Sequence, residues 1–275
     1  MSLALTVRQA LVQAGLVPVD ANTLLSHALG RDRSWLVAHA TDPLPQKVID
    51  VFFAMAKRRR GGEPVAYLVG KREFHSLALR VTGDVLIPRP ETETLVDAVL
   101  ARIGPATAAR VLDLGTGSGA IALAIAHERR RADVLAVDIS ASALDVARDN
   151  AQALGLANVR FAASNWYAAL AAQTFDAIVA NPPYIAGDDP HLAQGDLRFE
   201  PRAALTPGGD GLDALRTIVA GAPAHLVAAG MLAVEHGFDQ ASDVRQLFVR
   251  HGFGAIKGSR DLAGHWRVMI GTLAA

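Results

Sequence analysis

Asn181-Pro182-Pro183-Tyr184 closes an apolar run, Phe175–Ala180, that reads as a β-strand. The residue types suit one kind of chemistry. The nitrogen of a planar amide or an aromatic amine is a poor nucleophile because its lone pair is delocalised. The Asn181 side-chain oxygen can accept one N–H of such a group and the Pro182 carbonyl the other. Two fixed acceptors hold the nitrogen in plane and favour the charge that develops on it. Prolines keep that carbonyl rigid and bring no N–H of their own, and the Tyr184 ring is expected to pack on the planar group. An activated methyl then needs only an in-line approach, so positioning carries much of the rate. No general base is needed before transfer. The implied chemistry is N-methylation, with Asn181, Pro182 and Tyr184 as the catalytic set and Asn181, Pro182, Pro183 and Tyr184 holding the acceptor.

A second constellation runs from Val111 to Ala120, V-L-D-L-G-T-G-S-G-A. An apolar strand feeds a glycine turn, Gly115-Thr116-Gly117-Ser118-Gly119, that opens a helix whose free N–H groups face a ligand. Gly115, Gly117 and Ala120 also satisfy the loose dinucleotide pattern G-x-G-x-x-A. Asp113, inside the strand end, could accept from a ligand ammonium group, which favours S-adenosylmethionine. Asp138 ends the following strand, where a carboxylate can take both ribose hydroxyls of either cofactor or simply cap the strand. Trp166 and Tyr167 follow the third strand and could flank an adenine face or serve as core aromatics.

These groups need a scaffold, and the rest of the chain supplies one. The first seventy residues carry helical spacing, as in Leu3, Val7, Leu11 and Ala14, in Leu24, Leu25, Ala28 and Leu29, and in Val48, Val51, Phe52 and Met55. Gly15 and Gly30 stand where helices would stop, and Thr41-Asp42-Pro43 where a new one would start. Residues 73–88 turn β-prone around Thr82-Gly83-Asp84, which predicts a hairpin. From about residue 91, strands at Arg110–Leu114, Val134–Val137, Val159–Ala162, Phe175–Ala180 and Met231–Glu235 alternate with helices at Ala120–His127, Ser142–Leu154, Leu212–Leu226 and Ala241–Arg250. That pattern implies an α/β domain with a mostly parallel sheet covered on both faces. The closing strands, Phe253–Ile256 and Trp266–Ile270, are too near each other for a helical crossover and should form an antiparallel hairpin. Residues 185–211 read as a long loop of the sort that forms a lid or recognition surface.

Composition narrows the function further. The 275 residues contain no cysteine, which excludes a disulfide framework, a thiolate metal site and a cysteine nucleophile. Lys+Arg and Asp+Glu are both 27, an unusual balance for a chain that holds a long nucleic-acid duplex. The basic run Lys57-Arg58-Arg59-Arg60 reads as a solvated helix end. The nine histidines show no metal spacing, and His236 reads as a strand-end hydrogen-bonding residue. No apolar stretch reaches the ~20 residues that span a bilayer, and the first residues lack a signal-peptide pattern, so a cytoplasmic protein is expected.

At this point the sequence resembles a known family over nearly its whole length, the release factor glutamine methyltransferases (PrmC/HemK). The matching blocks are Glu63-Pro64-Val65-Ala66-Tyr67-Leu68-Val69-Gly70, Leu86-Ile87-Pro88-Arg89-Pro90-Glu91-Thr92-Glu93, the glycine turn, Asn181–Tyr184, Arg198-Phe199-Glu200-Pro201 and Glu235-His236-Gly237. The resemblance implies a helical N-terminal domain (1–72), a β-hairpin linker (73–90) and a Rossmann-like class I methyltransferase domain with a seven-stranded mixed sheet (91–275). It implies methyl transfer from S-adenosyl-L-methionine, leaving S-adenosyl-L-homocysteine, to the side-chain amide nitrogen of the glutamine in the Gly-Gly-Gln loop of peptide chain release factors. In the family pattern Gly115–Gly119, Asp138, Trp166 and Asn181 contact the cofactor, and Asn181–Tyr184 hold the glutamine. Residues 185–211 would then embrace the release factor loop, and neither stable nucleic-acid binding nor membrane attachment is expected. Two positions depart from the pattern: Asn165 stands where Asp is expected and Gly83 where Pro is expected. Glutamine methylation of a large-subunit ribosomal protein, methylation of an exocyclic amine of nucleic acid, and a non-catalytic scaffold are the rival readings. The 88–93 block speaks against the first, the neutral charge against the second, and the presence of both motifs against the third.

Overall fold

The computed structural model describes residues 5–274 of the chain. Its contacts divide it into two units, the first ending at Lys71 and the second beginning at Arg72.

The first unit is helical: α1 (Val7–Gln13), α2 (Pro18–Leu29), α3 (Arg33–Ala38), α4 (Gln46–Arg60) and α5 (Val65–Val69). Thr6 and Gln9 form a reciprocal capping box at the start of α1, and Gly30 takes the left-handed conformation that ends α2. Val7, Ala10, Leu24, Leu25, Phe52 and Met55 join one apolar core. Leu3, placed on the first helix by its spacing, lies outside the described residues. The helix expected at Thr41-Asp42-Pro43 begins instead at Gln46, after Pro45, because Pro43 is held in a bridge with Thr6. The basic run at the end of α4 is tied down internally. Arg58 pairs with Glu63, Arg59 Nε lies 2.6 Å from Asp20 Oδ2, and Arg60 donates to the Ala14 carbonyl.

A two-stranded hairpin follows, β1 (Lys71–Phe74) and β2 (Leu77–Arg80). Its turn lies at His75 and Ser76, both at positive φ, and not at Thr82-Gly83-Asp84 as the sequence suggests. A two-residue turn of that kind matches strand twist, and Glu93 Oε1 accepts the His75 N–H at 2.9 Å, which offsets the strain of two non-glycine residues. Thr82–Asp84 form a separate small turn closed by the Thr82 hydroxyl.

The remainder runs α6 (Glu93–Arg102), β3 (Arg110–Leu114), α7 (Ala120–Glu128), β4 (Asp133–Asp138), α8 (Ala141–Ala153), β5 (Val159–Ala163), β6 (Phe175–Ala180), α9 (Arg202–Leu205), α10 (Asp213–Gly221), β7 (Leu226–Glu235), α11 (Ala241–Arg250), β8 (Phe253–Arg260) and β9 (Trp266–Leu273). The sheet order is β5-β4-β3-β6-β7-β9-β8. The first five strands are parallel, and β9 is antiparallel to both β7 and β8, which is the seven-stranded mixed sheet expected. Alternate residues of β3 feed opposite cores: Val111 packs with α6 and α7 on one face, Leu112 and Leu114 with α10 and α11 on the other. Helix α10 stops at Gly221 rather than Leu226 because Pro223 imposes a 3-10 turn over Ala222–His225. Strand β7 accordingly begins at Leu226 instead of Met231. The 185–211 segment carries local structure, with 3-10 turns at Pro190–Ala193 and Gly195–Phe199 before α9. No helix among the described residues is long and apolar enough to cross a membrane.

Candidate active site

Strand order reverses between β3 and β6, which are adjacent and in register, Leu114 opposite Ala180. Ligands of open α/β sheets bind outside the carboxyl ends of strands at such a switch. The glycine turn leaves β3 and Asn181 leaves β6 at the same level. Asp138 ends β4 on one side, and Glu235 ends β7 on the other, next along from the Ala180–Val234 pair. A cavity of about 280 Å³ opens there.

The cavity is walled by Gly115, Thr116, Gly117 and Ser118 from the turn, by Asp138, Ile139 and Ser140 after β4, and by Asn165 and Trp166 after β5. Asn181, Pro182 and Pro183 form the β6 side, Asp84–Leu86, Pro88, Arg89 and Thr92 the next wall, and Pro201, Ala203 and Ala204 the last. The turn is locked from behind. Val137 O accepts both the Gly115 and Thr116 N–H groups at 2.9 Å, and Asp138 Oδ2 accepts the Gly117 N–H at 2.9 Å. Buried Asn150 donates to Ser118 O at 2.9 Å while also bonding both backbone groups of Arg80. Gly119 has φ +85, and a Cβ there would lie 3.0 Å from Leu123 Cδ1 and 3.2 Å from Ala147 Cβ. Only glycine lets the turn pack that closely on α7 and α8.

Asp113 is fully buried beneath the turn and does not line the cavity. Thr116 donates to its Oδ2 at 2.6 Å, while Oδ1 has no hydrogen-bond partner. Burial pushes its carboxyl up to about 7, against the opposing pull of Thr116 and the Ala122 N–H. Contrary to the expectation from sequence, Asp113 is not placed to meet a ligand's ammonium group and instead holds Thr116 at the wall, whereas the Asp138 carboxylate on the cavity wall fits a ribose diol. With the glycine turn, that carboxylate suits S-adenosylmethionine. Among the described residues no cluster of His, Asp or Glu suits a metal ion.

The residues around Asn181 divide in two. Asn181 Nδ2 donates to Thr92 Oγ1 at 3.1 Å, which leaves Oδ1 as the amide's free acceptor. Tyr184 is turned away from the cavity. Its hydroxyl donates to Glu235 Oε1 at 3.1 Å, its carbonyl accepts from Gln240 Nε2 at 2.9 Å, and its ring packs with the α10/α11 core. The expected stacking of Tyr184 on the acceptor is thus not the arrangement found; the buried Glu235 recruits its hydroxyl, and burial pushes that phenol upward. Trp166 faces the cavity, whereas Tyr167 stacks on His225 and donates to Ile218 O at 2.8 Å. His236 is fully buried, with Nδ1 2.7 Å from Gly237 O, and burial lowers its affinity for a proton.

Three supporting residues escape a reading of sequence pattern. Asn150 braces the turn. Glu200, its side chain inaccessible, accepts the Ile87 N–H at 3.1 Å and pairs with Arg89, tying two cavity walls together. Ile139, 72% exposed although aliphatic, forms apolar wall beside Asp138. Glu200 stands in one of the matching blocks, but its partners lie more than a hundred residues away, where no local spacing reveals them.

The family described as Methyltransferase small domain matches residues 91–212, and the one described as PrmC N-terminal domain matches residues 5–70. The release factor glutamine methyltransferase of Xylella fastidiosa (strain Temecula1) is 55% identical over 92% of this chain and 92% of its own. The one from Bordetella pertussis is 52% identical over 96% of this chain and 97% of its own. Among solved structures, a T. thermophilus 16S rRNA N2 G1207 methyltransferase in complex with AdoMet and guanosine aligns with a TM-score of 0.57 at 20% identity, over 74% of this chain and 49% of that one. At that identity the likeness is one of fold.

Proposed function

The chain belongs to the release factor glutamine methyltransferases, and from that premise we propose that it transfers a methyl group from S-adenosyl-L-methionine to the side-chain amide nitrogen of the glutamine in the Gly-Gly-Gln loop of peptide chain release factors. The observation that carries the reading is the free Oδ1 of Asn181, set beside Pro182 on a cavity shared with the glycine turn.

When bound, S-adenosyl-L-methionine supplies a sulfonium-activated methyl group and leaves as S-adenosyl-L-homocysteine. The Gly115–Gly119 turn would admit the ligand's backbone-sized parts, Asp138 would take the ribose hydroxyls, and Asp113, buried beneath the turn, would hold the Thr116 side chain at the wall. Trp166 and Ile139 flank the adenine. Asn181 Oδ1 accepts one N–H of the substrate amide and the Pro182 carbonyl the other. The two acceptors favour the nitrogen's developing positive charge and aim it along the transfer line. The new N–C bond forms as the S–CH₃ bond breaks, and the nitrogen then sheds its extra proton to water. Pro183 stiffens the turn, and Tyr184 anchors it through Glu235 rather than touching the acceptor. Residues 185–211, whose Pro201, Ala203 and Ala204 wall the cavity, embrace the substrate loop. The reaction belongs to the cytoplasm, and no stable nucleic-acid binding is expected.

The test is methylation of a purified release factor and of its loop Gln→Ala variant, with the product located by mass spectrometry. Transfer to the first and not the second supports the proposal. No transfer to either, with S-adenosyl-L-methionine still bound, removes the release factor as substrate.

A further inference from the structure

Trp166 and Tyr167 are neighbours in the chain with opposite fates. The Trp166 indole walls the cavity, while the Tyr167 ring stacks on His225 and its hydroxyl donates to Ile218 O. An unusual backbone parts them. Trp166 has φ +49, a left-handed conformation in which the Cβ of a bulky residue crowds the carbonyl oxygen. Among the described non-glycine residues at positive φ, Trp166 alone lines the cavity. Such strain persists where the surroundings over-determine it.

Ser164 supplies the constraint. Buried one residue past β5, it donates its N–H to Asp138 O at 3.0 Å, which extends the β4–β5 ladder by one step. Its hydroxyl donates to Trp166 O at 2.7 Å and accepts the Ala169 N–H at 3.1 Å. The Ala168 N–H returns to Asn165 O at 3.0 Å and completes the turn. Ser164 thus lines the cavity while its hydroxyl proton and an accepting lone pair are both spent inside the chain. The indole so placed lies against the glycine turn. A Cβ built on Gly115 would stand 3.4 Å from Trp166 Cζ3 and 3.8 Å from its Cη2. Asp138, whose carboxylate accepts the Gly117 and Ser140 N–H groups, sits at the other end of the Ser164 backbone bond. One serine therefore ties the aromatic wall to the carboxylate that fits a ribose diol.

We propose that Ser164 is a positioning residue for cofactor binding, its hydroxyl holding Trp166 in the left-handed conformation that sets the indole against Gly115 as a preformed wall for the adenine base. The inference rests on the adenine lying beside Trp166, as given above, and holds for any methyl acceptor. A wall fixed before the ligand arrives loses no side-chain freedom on binding. The hydroxyl therefore contributes to affinity without touching the ligand. Alanine at position 164 would leave the Trp166 carbonyl without its donor and the Ala169 N–H without its acceptor. Trp166 would then relax toward the negative φ that an L-residue prefers, and the indole would leave Gly115.

Calorimetry with S-adenosyl-L-homocysteine, which stays unreacted, gives the affinity. Ser164→Ala should bind it about 3- to 10-fold more weakly, the worth of one hydrogen bond, and Trp166→Ala should lose at least as much. In the Trp166→Ala background, Ser164→Ala should add nothing, since there is no indole left to hold. The indole itself gives the second readout. The chain has three tryptophans, so Trp35→Phe with Trp266→Phe leaves Trp166 as the sole emitter. Without ligand, acrylamide should quench that emission more readily once Ser164→Ala is added. Ser164→Cys, which keeps a weak donor, should fall between serine and alanine in both readouts. Wild-type affinity in Ser164→Ala overturns the proposal, and so does unchanged quenching. A Ser164→Ala loss that adds in full to that of Trp166→Ala also overturns it, because the hydroxyl would then act on the ligand by another route. Should Ser164→Ala fail to fold, Ser164→Cys is judged by the same three readings. Trp166→Ala with wild-type affinity would strike the placing of the adenine beside Trp166 instead, an outcome readable apart from the others.

Discussion

The Asp113 carboxyl has an ordinary value of 3.8 and is pushed up to about 7 by burial. Between about pH 4 and pH 7 the folded protein therefore holds a proton that the unfolded chain has lost, so stability falls as pH rises through that window. Glu235, raised to about 7 mainly by burial, acts with the same sign. Asp113→Asn should flatten part of this slope. Denaturant midpoints at pH 5 and pH 7.5 should lie closer together than in the wild type, and an unchanged gap would mean that Asp113 is ionised throughout. Asn181→Ala belongs to the same scale. It should fold and bind S-adenosyl-L-methionine normally while kcat falls by about 10²–10³, the cost of one preorganised polar partner in a transition state.

Turns and strand ends carry the next level. Gly119→Ala would force a Cβ to 3.0 Å of Leu123 and 3.2 Å of Ala147 at φ +85, and should cost about 1–3 kcal/mol as an overpacked site, visible as a lowered Tm. Glu200→Ala would release the Ile87 N–H and Arg89 together. With Arg89 partly open to water, a loss of about 1–3 kcal/mol is expected, and KM for the protein substrate should rise more than KM for S-adenosyl-L-methionine. An unchanged KM for both would show that the two walls hold without it. Much of this level is legible in sequence. The strands β3, β4 and β6 are short apolar runs, each ending at or just before a residue that walls the cavity, because a buried parallel strand leaves few alternatives. The hairpin turn is not legible, since His75 and Ser76 adopt positive φ without glycine and rely on Glu93 for support. The orientation of Tyr184 is hidden for a similar reason. It is set by Glu235, fifty-one residues away along the chain, and the pair meets only through the β6–β7 register. Local pattern names Gly115–Ser118, Asp138, Trp166 and Asn181–Pro183 on the cavity wall and misses the buried Asn150 and Glu200 that brace it.

At the scale of the whole chain, both cores that sandwich the sheet are built only of residues from Phe74 onward, and every residue lining the cavity has a number above 72. The helical unit has a core of its own, from Val7 to Leu68. A unit with its own core and its own ligand groups is able to fold alone. A fragment of residues 71–275, cut so that β1 stays whole, should therefore unfold cooperatively and bind S-adenosyl-L-methionine as the full chain does. Binding to the native state alone stabilises by RT ln(1 + [L]/Kd), about 2.7 kcal/mol at a hundredfold excess over Kd, so matched affinities predict matched rises in Tm when ligand is added. A fragment that unfolds without cooperativity, or gains nothing from the ligand, would show that the helical unit contributes to the fold on which the cavity depends. With affinities equal, any loss of methyl transfer to the release factor in the fragment would assign the helical unit to handling the protein substrate.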